Sequence, residues 1–254
     1  MRLLKTLVIL VVVALVIGAI CLWRLPADVG YRYGARYFGP LSLAGVSGTV
    51  WDGHADGVSL FGNDLGELDW TARKQPLLRG DLVTDIRIKG GDIDIGGVLT
   101  RRSNGAIEAE GLRFSVPASR FEPLFDGKLR LLGTVSGVLD GATWWNASLS
   151  GASGSARWSE VGAVGEVEAH FTDVLVDFAS QPDGSVSGTV HDDGRGNIAV
   201  EGRFVLRPPM LDGEATLRAR NGDAQALETL RHIGEPQPDG SSHVVVHGGM
   251  LRLP

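Results

Sequence analysis

Two hydrophobic patterns divide this chain. Residues 7–22 read LVILVVVALVIGAICL without a charge, whereas beyond Pro26 apolar and polar residues alternate over long stretches. The first pattern predicts a transmembrane helix over residues 7–23, preceded by a cytoplasmic tail of residues 1–6. Its aliphatic residues are Leu7, Val8, Ile9, Leu10, Val11, Val12, Val13, Leu15, Val16, Ile17, Ile20 and Leu22. At about −0.3 to −0.6 kcal/mol each, they supply roughly −4 to −7 kcal/mol toward insertion. Counted from Leu3 to Trp23, a helix here would be about 31 Å long at 1.5 Å per residue, which matches the hydrocarbon core. Lys5 can snorkel at one boundary, and Trp23 and Arg24 fit the other. A cleaved signal peptide fits less well, because the apolar run is long and lacks an A-x-A-like site. Nor do Gly18, Ala19 and Ile20 before Cys21 form a lipobox.

The second pattern has period two. Asp85-Ile86-Arg87-Ile88-Lys89, Asp92-Ile93-Asp94-Ile95 and Glu166-Val167-Glu168-Ala169-His170-Phe171 each place apolar side chains on one face of a strand. Asp-Gly pairs at 52, 56, 126, 140, 183, 193, 212 and 239, with Asn-Gly at 104 and 221, supply the backbone angles of tight hairpins. The expected fold is mainly β: one membrane helix, then an elongated, curved antiparallel sheet over residues 26–254 with one or two short helices. Ser119 is placed to cap a turn through Phe121 to Phe125, and Asp223 to cap a helix from Ala224 to Ile233 ending at Gly234. Strands are expected over 243–247 and 250–253. Strings beginning at Ser47, Ser136 and Ser187 echo one another, but separations of 89 and 51 residues exclude a fixed repeat.

Charge and composition narrow the function. The 254 residues carry 36 Gly, a net charge of −6 and one cysteine, Cys21, inside the apolar run. The glycine implies many turns, the acidic balance excludes a nucleic-acid field, and no intrachain disulfide can form. Orientation is nearly a tie by charge, with Arg2 and Lys5 before the span and Arg24, Arg32 and Arg36 after it. A short basic tail running straight into an apolar segment is the layout of a signal anchor. That layout favours a single-pass protein of the inner membrane with residues 26–254 in the periplasm.

Searching for chemistry turns up little. There is no G-x-S-x-G motif, and Ser47 and Ser153 fall in strand contexts where a nucleophile elbow needs a strand-to-helix turn. Gly194-Arg195-Gly196-Asn197-Ile198-Ala199 resembles a loose dinucleotide fingerprint, but joins two strands and reads as a hairpin. His243 and His247 share a strand face about 13 Å apart, too far to ligate one ion. The carboxylates Asp92, Asp94, Glu108 and Glu110 read as a solvated face. No enzyme, metal site or cofactor is expected. Trp51, Trp70, Trp144, Trp145 and Trp158 either fill a core or line an apolar trough, and periodicity does not separate the two.

Three motifs carry a family resemblance. They are Gly45-Val46-Ser47-Gly48-Thr49-Val50-Trp51-Asp52-Gly53, then Leu68-Asp69-Trp70, then Pro76-Leu77-Leu78-Arg79-Gly80-Asp81-Leu82. With the N-terminal span and the glycine-rich remainder, they make the chain resemble protein N of the bacterial type II secretion system. The motif residues are Gly45, Gly48, Thr49, Trp51, Gly53, Trp70, Pro76, Leu77, Leu78 and Gly80. The resemblance implies an accessory, non-enzymatic component in the inner membrane that contacts platform or secretin proteins during export. A more distant similarity to AsmA-like envelope proteins implies the alternative, an apolar β groove that binds or conducts lipid. For strand addition by a partner, the segment 243–253 is the first candidate.

Overall fold

The computed structural model describes residues 24–37, 39–60, 62–125, 130–146, 148–164, 168–207 and 210–249. The expected transmembrane segment and the expected strand over 250–253 lie outside them. Among the described residues, no helix is long and apolar enough to cross a membrane.

Helix α1 (Ala27–Gly34) leads into a meander of antiparallel strands: β1 (Leu41–Gly48), β2 (Asp52–Leu60), β3 (Asn63–Arg73), β4 (Leu82–Gly90), β5 (Ile93–Arg101) and β6 (Ile107–Pro117). After a 3₁₀ turn at Ala118–Phe125 come β7 (Arg130–Trp145), β8 (Ser148–Val164), β9 (Glu168–His170), β10 (Val174–Ser180), β11 (Val186–Asp192), β12 (Ile198–Arg207) and β13 (Met210–Ala219). Helix α2 (Ala224–Leu230), the two-residue β14 (Glu235–Pro236) and β15 (Ser242–Gly249) complete it. All fifteen strands belong to one sheet, in which nearly every strand pairs with its neighbour in sequence.

The pairing register gives the sheet two chemically distinct faces. One ladder row crosses thirteen strands through Val46, Ala55, Leu68, Ile88, Ile95, Phe114, Gly137, Ala156, Val176, Val190, Gly202, Ala215 and Val244, all apolar or glycine. At about 4.8 Å per strand the row spans roughly 58 Å of sheet. The row beside it faces the other way through Ser47, His54, Asp69, Arg87, Gly96, Arg113, Val138, Ser155, Asp177, Thr189, Arg203, Glu214 and Val245. Cross-strand ion pairs such as Arg73–Asp85 and Arg203–Glu214 lace this polar face. Exposed pairs of this kind contribute little stability; the polar face keeps the sheet in register, because a one-residue slip would turn the apolar row into water.

Many glycines serve the apolar face and not the turns. Asp-Gly at 52, 56, 140 and 212 lies within strands, while the pairs at 183, 193 and 239 form loops. Added Cβ atoms on Gly53 and Gly188 would overlap the facing rings of Trp70 and Phe204, and one on Gly137 would come within 2.7 Å of Phe114. Glycine opposite an aromatic gives the ring room to lie flat on the sheet. Each of the three echoing serine strings therefore contains a glycine that faces an aromatic ring. A register shift between Ala55 and Val58 also reverses the alternation, so both residues point inward and are buried.

The core is concentrated in the C-terminal half. Ile198, Val200 and Leu217 on β12 and β13 are covered by Ala226 and Leu230 of α2, while Ala118 and Leu131 form a second cluster; Phe171 packs against both. The turn Ala118–Phe125 lies against β15, and Arg120 Nη2 donates to the Asp64 carbonyl at 3.0 Å, so the sheet curls around this turn from both sides. Asp223 caps α2 as the sequence predicts, its Oδ1 accepting from the Ala226 N–H at 2.8 Å. The helix stops at Leu230 and not Ile233, because residues 231–234 turn back toward β14. Helix α1 was not anticipated; its glycines and aromatics carry weak helix propensity, and packing on β1 decides it.

Candidate functional site

The first two of the three motifs form one clamp at the end of the sheet where residues 24–26 approach it. Gly48, with φ +80°, ends β1, and the Thr49 Oγ1 accepts from the Asp52 N–H at 3.0 Å, closing the β1–β2 turn. Trp70 of β3 reaches over Gly53, and its Nε1 donates to the Val50 carbonyl at 3.3 Å. On the other side, the Val50 N–H donates to the Leu25 carbonyl at 3.0 Å, and Pro26 bridges to Thr49. The motif thus joins the first hairpin to the chain segment that precedes α1. At Gly45, with φ +63°, a side chain would collide with Asp56. Trp51 stacks beneath Lys74, whose Nζ lies 5.8 Å from the ring centre. Pro76, Leu77 and Leu78 belong to a 3₁₀ turn closed by Gly80 in the left-handed conformation, and Leu78 is 93% exposed.

The two lateral edges of the sheet differ. Along β1, α1 packs beside the strand, and the Leu43 N–H donates to the Tyr31 hydroxyl at 2.9 Å. Along β15, β14 pairs only with His243 and Ser242, leaving Val244–Gly249 without a strand neighbour on the outer side among the described residues. Val245, on the polar face of this open edge, is 62% exposed, and a shallow cleft of about 290 Å³ runs beside it between Arg203, Val205, Asp212 and His247.

Across the apolar face the covering is incomplete. Of the described side chains, only Leu230, Val58 and Ser242 stand out as larger groups with essentially no exposure, and Ile86, Ile88, Ile95, Leu112, Phe114, Val176, Phe178 and Phe204 are half-buried. The tryptophans divide accordingly. Trp70 and Trp158 lie half-buried with their indole N–H groups bonded to carbonyls, whereas Trp144 and Trp145 are 41% and 51% exposed.

Polar clusters are mutually neutralised. His54 Nδ1 lies 2.8 Å from Asp69, and this hydrogen bond, with help from Asp56, raises the imidazole above its ordinary value. His243 and His247 pair separately, with Glu214 and Asp212. A cleft of about 900 Å³ is polar and open, lined by Asp64, Glu67, Lys89, Asp92, Asp94 and Arg120 among others. Among the described residues no group of three or more His, Cys, Asp or Glu is arranged to hold a metal ion. The segment 194–199 runs through the loop after β11 into the start of β12, an antiparallel hairpin. The buried carboxylate of Asp192 is held by both Arg220 Nη groups at 2.7 and 3.1 Å and by the Val200 and Gly194 N–H groups.

The profile of the family described as Type II secretion system (T2SS), protein N, matches residues 39–245, which is the clamp and nearly all of the sheet. The chain belongs to that family. A Type II secretion system protein N from Vibrio cholerae serotype O1 is 43% identical over 51 residues, a stretch covering 20% of this chain and 20% of that protein. No solved structure matches the chain significantly. In this protein N family member, Gly48, Thr49, Trp51, Gly53 and Trp70 meet in the clamp, Gly45 lies further along β1 against Asp56, and Pro76–Gly80 forms an exposed turn. The family is a component of a protein-secretion machine, and its name denotes no catalytic activity.

Proposed function

We propose that this chain is an accessory, non-enzymatic component of the type II secretion system, held in the inner membrane by residues 7–23 with residues 26–254 in the periplasm. There it contacts platform or secretin proteins during export. The observation that carries the contact reading is the open edge of the sheet: β15 has no strand neighbour from Val244 to Gly249 among the described residues, whereas α1 packs beside β1 and Tyr31 occupies the Leu43 N–H. An open edge gives a partner strand a row of backbone donors and acceptors, and tethering to a membrane raises the effective concentration for weak partners. Removing residues 241–254 is a poor test, since Ser242 is fully buried and its strand covers β13. The better test places a photocrosslinking amino acid at Val245 in cells that secrete. Crosslinks to a platform or secretin protein are expected, lost on Val245→Lys. Equal crosslinking at Tyr33 would refute an edge-specific contact.

The half-buried apolar row favours a second reading, in which the chain binds or conducts lipid along its sheet. Thirteen strands of apolar or glycine positions make a track far longer than the two core clusters cover. Phospholipid retained through purification and reduced by Ile95→Asn would support it; a lipid-free protein that still supports secretion would exclude it.

A further inference from the structure

We propose that the end of the sheet on the chain's membrane side is itself a bilayer-contacting surface, so that the domain stands on the lipid instead of hanging from a free tether. The inference rests on the anchored reading above. In an antiparallel meander, alternate hairpins fall at the same end, and the Thr49–Trp51 turn, the Pro76–Gly80 turn, the 102–106 turn and the β7–β8 connection share the end reached by Leu25. Ten large hydrophobic side chains are exposed among the described residues, and seven of them, Leu77, Leu78, Leu82, Ile107, Trp144, Trp145 and Met210, lie at this end.

Six of the seven sit close together. Register places Leu82, Arg101, Ile107 and Trp144 in one ladder row across β4 to β7, three strand spacings or about 14 Å wide. Leu77 and Leu78 precede Leu82 on the same strand connection, and Trp145 follows Trp144. Apolar groups scattered singly on a surface need no explanation, but a cluster of six, with two tryptophans at its margin and an arginine within it, has the composition of a membrane interface, where the indole body is apolar and its N–H remains wet. Charge agrees. Arg101 within the row and Arg79 beside it are exposed, and the local carboxylates Asp81 and Glu108 are both paired with Arg102. An anionic leaflet would attract such a rim.

Position selects the bilayer over a protein partner. The uncharged run of residues 7–22 ends two residues before Arg24, and the Leu25 carbonyl is bonded to Val50 within the clamp, so no slack remains between the apolar run and the rim. Contact at both places would fix the tilt of the sheet.

Full-length protein with Cys21→Ser, carrying a single cysteine at Leu78, Trp145 or Leu227 labelled with an environment-sensitive fluorophore, is reconstituted into phosphatidylglycerol-containing liposomes. Leu227 lies on α2 at the opposite end. Labels at 78 and 145 are expected to show blue-shifted emission and about twofold quenching by bromolipid, as for groups seated about 5–10 Å into the headgroup–acyl boundary; the label at 227 shows neither. Circular dichroism matching the unlabelled chain checks that each variant is folded. Liposome-bound protein in which either 78 or 145 behaves like 227 overturns the docking inference and leaves the anchor intact. Protein that does not float with the liposomes overturns the anchor reading itself.

Discussion

Replacing Asp192 with Ala tests how the C-terminal half of the sheet is held. Asp192 ends β11 on the apolar face, with its side chain only 5% exposed, and ties the start of β12 to Arg220 just beyond β13. Burial alone would push this carboxyl up, but the hydrogen bonds from Arg220, Val200 and Gly194 outweigh it and hold it below the usual carboxylate range. Truncation strands the Val200 N–H near Ile198 and leaves Arg220 unpaired. Breaking a buried pair costs about 3–5 kcal/mol, and because Arg220 is 32% exposed and regains water, the low end applies, about 3 kcal/mol. With a urea m-value near 3 kcal/mol/M for a chain of this size, the unfolding midpoint falls by about 1 M. Asp192→Asn keeps an acceptor for Val200 and costs roughly half as much. Because the folded carboxyl is depressed, its stabilisation is fully present above the unfolded value of about 3.9 and is lost only as pH falls through the folded value. The gap between wild type and Asp192→Ala, followed by circular dichroism, is therefore constant from pH 7 to 5 and closes below that range. A gap under about 0.5 kcal/mol at pH 7, the usual size of a surface substitution, or one that closes between pH 6 and 5, refutes the reasoning.

Further outcomes follow from the clamp and the core. Gly53→Ala drives a methyl into the Trp70 ring, and overpacking of this kind costs about 1–3 kcal/mol, so thermal unfolding should fall by several degrees; an unchanged midpoint would mean the clamp has slack. Leu230→Ala empties a site that is 2% exposed and loses about 2–5 kcal/mol in urea, with α2 the first segment to gain amide exchange. His54, raised by its bond to Asp69, holds that interaction below its ordinary value near 6.5 and gives it up as pH rises through the higher folded value. Its NMR titration should move down in Asp69→Asn, and an unmoved midpoint would assign the shift elsewhere.

The local part of this architecture is written in the chain itself. Alternation at 85–89 and 92–95 fixes β4 and β5, Asp223 fixes the start of α2, and the uncharged residues 7–22 define the segment expected to anchor the chain. The resemblance to protein N was likewise legible without any structure. Tertiary pairing decided the rest. That Val46 through Val244 form one row across thirteen strands depends on registers and on the shift between Ala55 and Val58, which periodicity read strand by strand does not contain. Asp-Gly at 52, 56, 140 and 212 has the vocabulary of a turn, yet lies in strands where two-sided pairing outweighs turn propensity. Whether a tryptophan packs or protrudes was equally invisible. Trp158 and Trp145 differ by where the curling sheet brings other atoms over them, a non-local outcome set by the Ala118–Phe125 turn reaching β15.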